Sequence, residues 1–225
     1  MNIIINKEER DYLEKSVLRR FTIGSQLYGT NNSESDTDIL SIYETSELEL
    51  MSGLPNFHQF QWKDTENNID WLYTSELQFW KNFYSGDSII NADIVLFTDL
   101  IKDDLKLSYC RTYKVIKAYI GFAKRDLKHI NKDKSKLFHA NRGLYCAQEL
   151  LEGRLPLLSE IQKLALKDGY FQENLGDLIY TENLLRTKLN KLYDDNKIVT
   201  YYIEKCGNML FDKMFEANNI KEFKY

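Results

Sequence analysis

The chain has 225 residues and a mass of 26.7 kDa, with 43% apolar residues, 28% charged residues and only 2 prolines. That is the length of one domain, or of one domain with a helical appendage, and the composition excludes collagen-like, low-complexity and disordered classes. The net charge of −4 is unevenly spread. Residues 1–101 hold 7 Lys and Arg against 17 Asp and Glu, whereas residues 102–142 hold 12 against 4. An acidic front followed by a basic segment suits a metal-binding half facing a polyanion-binding half, although a lysine-rich helix is often just a solvated face.

In chain order, Asn6 to Leu18 (NKEERDYLEKSVL) has Leu13, Val17 and Leu18 at helical spacing, with Asn6 as cap. Phe21 to Ile23 is a short β-prone run stopped by Gly24-Ser25. A polar loop, Thr30 to Ser35, leads into a strand over Asp36 to Tyr43 (DTDILSIY). Glu47 to Asp64 reads as a loop or short strand, Asn68 to Tyr73 (NIDWLY) as a second strand. A helix capped near Ser75 follows, with Leu77, Trp80, Phe83 and Tyr84 on one face. Beyond about residue 108, helical spacing dominates: Tyr109–Ile130, Lys136–Glu152, Leu157–Lys167, Glu173–Asp194 and Val199–Asn218, broken at Gly153 to Pro156, Gly169 and Asn196. The expectation is an α+β fold, a small mixed β-sheet flanked by helices over residues 1–104 and an all-helical region over residues 105–225. No run reaches the roughly 18 to 20 apolar residues that cross a bilayer. The opening MNIIINKEERDYLEK turns charged too early for a signal peptide. Cys110, Cys146 and Cys206 stand far apart without a CxxC pair, suggesting neither a zinc site nor a disulfide framework. No membrane partner and a cytoplasmic location are the expectation.

The chemistry concentrates in Gly24 to Tyr43 (GSQLYGTNNSESDTDILSIY). On a strand, Asp36 and Asp38 share a face about 7 Å apart, because each residue advances about 3.3 Å and side chains alternate. Two carboxylates so placed repel unless a cation relieves them. Oxygen-only ligands favour Mg2+ or Mn2+ over zinc, and paired ions of this kind serve in-line phosphoryl displacement. Gly24-Ser25 lets backbone N–H groups approach a phosphate. Asp70, in the next predicted strand, is the natural third carboxylate and a proton acceptor for an attacking hydroxyl. An EF-hand fails because Leu40 stands where Asp or Asn is required, and a Walker loop fails because Thr30-Asn31 replace Lys and Ser/Thr. Each element alone has an ordinary explanation, a capping pair or a simple turn. Their order along the chain makes the argument.

Gly24-Ser25, Tyr28-Gly29, Ser35-Asp36-Thr37-Asp38 and Asp70 together resemble the GS…YG…SDxD…D signature of the DNA polymerase β nucleotidyltransferase superfamily. The nearer resemblance is to small predicted nucleotidyltransferases of bacteria and phages, some of them associated with RNA ligases. Lys136, His139 and Arg142, followed by Glu149 to Gly153 (ELLEG), are similar to that family's Lys, His and Arg helix and its ELLxxG ending. The likeness spans residues 19–168. It implies that Gly24 and Ser25 bind nucleotide phosphates and that Asp36, Asp38 and Asp70 are catalytic and hold two Mg2+ (or Mn2+) ions. It also implies that Arg142, with Lys136 and His139, holds the triphosphate or the acceptor.

The expected activity is metal-dependent transfer of a nucleoside monophosphate from an NTP to an acceptor hydroxyl, with pyrophosphate released. RNA or tRNA, at its 3′ end, is the favoured acceptor, and a protein hydroxyl is the alternative. Two rivals are a catalytically silent, antitoxin-like binding module and a phosphatase using the same metals. Lys124, Arg125, Lys128, Lys132, Lys134 and Lys136 would supply a cationic wall. Trp71, Trp80 and Tyr84 are the aromatic candidates for stacking on a base.

Overall fold

The computed structural model describes residues 2–31, 35–52, 59–133, 135–165, 175–195 and 197–198. Its front carries five strands: β1 (Asn2–Ile4), β2 (Val17–Ile23), β3 (Thr37–Tyr43), β4 (Gln59–Asp64) and β5 (Ile69–Ser75). They form one mixed sheet in the order β1-β4-β5-β3-β2. The pairs β3–β5 and β1–β4 are parallel, and β2–β3 and β4–β5 antiparallel. Helices α1 (Lys7–Leu13), α2 (Gly24–Tyr28) and α3 (Glu47–Ser52) lie between strands, and α4 (Glu76–Ser85), α5 (Ile89–Phe97) and α6 (Asp103–Cys110) follow β5. The rear is helical: α7 (Tyr113–Leu127), α8 (Ser135–Leu151), α9 (Leu158–Ala165) and α10 (Leu175–Asp194). The expected architecture, a small mixed sheet flanked by helices and followed by helices, is the one observed.

Local chemistry explains most boundaries. Asn6 and Glu9 close a capping box at the start of α1, each side chain accepting from the other's backbone N–H. The helix predicted to reach Leu18 stops at Leu13, because a 3-10 turn over Glu14–Ser16 delivers Val17 into a ladder with Tyr43. β2 therefore begins four residues before Phe21. Ser75 caps α4 as predicted, accepting from the Gln78 N–H at 3.2 Å. The single helix predicted over Tyr109–Ile130 is two, broken where Thr112 caps α7 by accepting from the Val115 N–H at 3.3 Å. Part of Glu47–Asp64 is helical, and its end is strand β4. The predicted helix Val199–Asn218, the end of Leu157–Lys167, Cys206 and His58 lie outside the described residues.

The sheet has two unlike faces because successive strand side chains alternate. One face sends Phe21, Ile23, Leu40 and Ile42 into the main core, against Phe79 and Phe83 of α4, Ile94 of α5, Ile116 of α7 and Leu150 of α8. The other buries Ile5, Tyr43 and Tyr73 beneath Leu13, Phe60, Trp62 and Trp71. Among the described residues no helix is long and apolar enough to cross a membrane.

Candidate functional site

Strands β3 and β5 run side by side in parallel, with Asp38 paired directly to Asp70. The turn before β5 sets that register: Asp64 accepts from the backbone N–H groups of Glu66 and Asn67, Asn68 adopts φ +53°, and its carbonyl accepts from the Thr37 N–H at 3.0 Å. Asp36, just ahead of β3, joins them. One carboxylate oxygen from each of Asp36, Asp38 and Asp70 lies within 4.8 Å of the others.

Three acids at this range are electrostatically unfavourable, and the site shows it. The Asp38 carboxyl titrates above its ordinary value: burial raises it most, the charges of Asp36 and Asp70 raise it further, and the Lys63 ammonium pulls it back. Lys63 is the cross-strand partner of Asp70 and donates to its Oδ2 at 3.4 Å, but this lysine is 54% exposed. Asp70 Oδ1 is buried with no hydrogen-bond partner. A buried carboxylate oxygen left without a donor is costly. An all-oxygen donor set with one such orphan atom fits a hard divalent cation. Asp36, Asp38 and Asp70 are the residues that would hold it.

Gly24 stands at the end of β2, whose Ile23 pairs with Asp38. Its φ is +63°, and a Cβ there would come within 2.6 Å of Asp38 Oδ2. Only glycine meets both conditions without strain. The backbone of Gly24 and Ser25 thus borders the carboxylates directly, and α2 carries the chain away to a left-handed cap at Gly29. A cleft lined by Gly24, Asp38, Leu72 and Ile90 has Tyr28 and Asp93 in its wall.

The Lys, His and Arg of α8 occupy three different settings. Lys136, on the first turn, is 34% exposed and lies 3.9 Å from Asp133. His139 rests against the rings of Phe122 and Phe138, and its Nδ1 is buried without a partner. Burial, then the neighbouring Arg142 charge, lower its pKa, so it is uncharged at neutral pH. Arg142 is 3% exposed. Its Nη1 donates to Asp93 Oδ2 and to the Tyr28 hydroxyl, both at 2.7 Å, and its Cζ lies 4.3 Å over the Tyr28 ring. Its Nη1 is committed to the interior, and its Nε is buried without a partner. Arg125, Lys128 and Lys132 are exposed, Lys124 is half-buried, and Lys134 lies outside the described residues.

Asp93 is the residue that the sequence reading missed. It is 1% exposed on α5 and accepts from Tyr28, Tyr119 and Arg142. The available signal was a lone acid inside the apolar run IINADIVLF. The aromatic candidates also need correction. Trp71 adjoins Asp70 on β5 and so projects from the opposite face, where Arg10 and Arg20 lie over its ring. Trp80 is core, 3% exposed, with Tyr84 stacked on it. Trp71 therefore points away from the carboxylates, and Trp80 is buried among core rings.

No protein-family model matches the chain, and no curated protein matches it. Among solved structures it is similar to a nucleotidyltransferase-like protein from Exiguobacterium sibiricum 255-15, at 12% identity over 81% of this chain and 72% of that one, with a TM-score of 0.29. The functional reading therefore rests on the site itself.

Proposed function

We propose that the chain is a metal-dependent nucleotidyltransferase that moves a nucleoside monophosphate from an NTP to an acceptor hydroxyl. The observation that carries this reading is the convergence of Asp36, Asp38 and Asp70 within 4.8 Å, with the backbone of Gly24 against Asp38. Phosphatases share metal-binding carboxylates, but a Gly-Ser backbone turn beside them suits a triphosphate.

Gly24 and Ser25 bind the phosphate oxygens through backbone N–H groups and the serine hydroxyl, and so orient the α-phosphorus. Asp70, the third carboxylate of the cluster, accepts the proton of the acceptor hydroxyl. The freed oxygen attacks the α-phosphorus in line, its new bond replacing the bond to pyrophosphate, which leaves. Mg2+ or Mn2+ held by the three aspartates supplies charge neutralisation for the triphosphate and for the developing transition-state charge. Lys136 stands partly exposed on α8 as a cation for the leaving phosphates. The RNA acceptor draws support from the exposed Arg125, Lys128 and Lys132, which can meet a terminal phosphate backbone without an extended binding surface.

Incubation with each α-labelled NTP, Mg2+ or Mn2+, total RNA and cell protein tests the reading, with Asp36→Ala plus Asp38→Ala as control. Label entering RNA in a metal-dependent way, and lost in the double variant, is the expected result. Label in protein would move the acceptor to a protein hydroxyl. No label in any fraction from the folded protein would leave a silent binding module.

A further inference from the structure

The element that borders the carboxylates is only five residues long, Gly24–Tyr28. A helix of that length has no stability of its own, so its placement must be imposed from outside. Its last residue supplies the anchor. Tyr28 is 3% exposed, with the Arg142 guanidinium over its face and the rings of Phe97 and Phe138 edge-on, both at 6.4 Å. Its hydroxyl donates to Asp93 Oδ2 at 2.5 Å and accepts from Arg142 Nη1 at 2.7 Å. Asp93 Oδ1 takes the Tyr119 hydroxyl at 2.7 Å. Helices α5, α7 and α8 thus converge on one carboxylate and, through it, on the end of α2.

We infer that Arg142 and Asp93 are positioning residues, which act through Tyr28 to hold Gly24 and Ser25 against Asp38, and that Arg142 does not touch the nucleotide. This rests on the nucleotidyltransferase reading and reassigns one of its residues. The geometry favours it in two ways. Nη1 of Arg142 is already hydrogen-bonded twice inside the fold, the side chain is only 4% exposed, and Nε, which has no partner, is itself buried away from solvent. Tyr28 and Asp93 meanwhile share a cleft with Gly24 and Asp38, so a displacement of Tyr28 is felt at the carboxylates. The tolerance is small, because Gly24 already sits where a single added carbon would lie 2.6 Å from Asp38. A misplacement of about 1 Å in a reacting geometry costs on the order of a hundredfold in rate.

The test compares Tyr28→Phe, Arg142→Lys and the double variant with the wild type. Tyr28→Phe keeps the ring in the core and removes only the hydroxyl, so it stays informative if Arg142→Lys fails to fold. Melting temperature, NTP KM and kcat are measured with Mg2+ well below the melting transition. The expected result is a rise in KM for the NTP and a fall in kcat/KM of about tenfold to a hundredfold in each single variant. The double variant loses no more than the worse single one, because both changes break the same link. An Arg142→Lys loss that Tyr28→Phe does not share, or two losses that multiply in the double variant, would overturn the inference in favour of direct phosphate contact. Lower melting temperatures with unchanged KM and kcat would overturn it in favour of a purely structural pair. A wild type that neither binds nor transfers nucleotide would sink the nucleotidyltransferase reading, and the positioning role with it. Wild-type transfer with an indifferent Tyr28→Phe would sink the positioning role alone.

Discussion

Gly24 and Asp38 face each other so closely that a Cβ on the glycine would meet Asp38 Oδ2 at 2.6 Å. The glycine also holds φ at +63°, a conformation that disfavours other residues by about 1–2 kcal/mol. Gly24→Ala is therefore expected to lower the melting temperature and to cut nucleotide transfer by about a hundredfold or more. Gly121→Ala is the matched control: its Cβ meets nothing within 4 Å in the middle of α7, so it leaves transfer intact and raises stability by about 0.5–1 kcal/mol. Thermal melts and the labelled-NTP assay on both variants check the contrast.

Asp38→Asn should stabilise the metal-free protein while abolishing transfer. Because the folded-state pKa of Asp38 is raised, its favourable contribution is present at low pH and lost as pH rises through the folded value. The variant lacks that titration, so its advantage in melting temperature should emerge in the same acid range and persist at neutral pH. Melting curves of both proteins across pH 3 to 8 in a chelating buffer measure it. A wild type as stable as the variant at neutral pH would contradict the assignment.

Mg2+ or Mn2+ should raise the melting temperature of the wild type at neutral pH. The shift should shrink on acidification, because the ligands must be deprotonated and protons compete with the ion. Asp36→Ala plus Asp38→Ala should remove it. Calorimetric scans with and without the ion provide the comparison, and an equal shift in the double variant would place metal binding elsewhere.

The buried Arg142–Asp93 pair makes a further prediction about stability. Asp93→Ala leaves a guanidinium buried without its counter-charge, a change worth about 3–5 kcal/mol. Tyr119→Phe removes one hydrogen bond to the same carboxylate and should cost only about 1.5–3 kcal/mol. Denaturant melts of the two variants rank them, and the reverse order would mean that the buried Arg142 guanidinium tolerates the loss of its counter-charge.

The carboxylates were legible because their signal is local. The D-x-D leading into β3 and the Gly-Ser turn before it survive translation into structure, and Asp70 needed only one strand pairing to reach them. The face of Trp71 was equally legible by parity, since it adjoins Asp70 on one strand and must point the other way. Asp93 was not. Its partners come from residues 28, 119 and 142, and no periodicity in a single chain announces which buried acid will meet which arginine. Likewise, the helical spacing of Leu13, Val17 and Leu18 looked continuous, but the ladder between Val17 and Tyr43 claimed the last two for the sheet.

The mutual repulsion at Asp38 has a consequence for the life of the molecule in a cell. A site that opposes folding when empty and favours it when filled would tie survival of the chain to a bound ion: at a free concentration about 100 times Kd, binding adds about 2.7 kcal/mol to a folded state. Copies without the ion would then open more often and meet proteases sooner. With a divalent ion at Asp36, Asp38 and Asp70, the steady-state amount of the protein would follow ion supply without any dedicated sensor, and scarcity would thin the population by turnover.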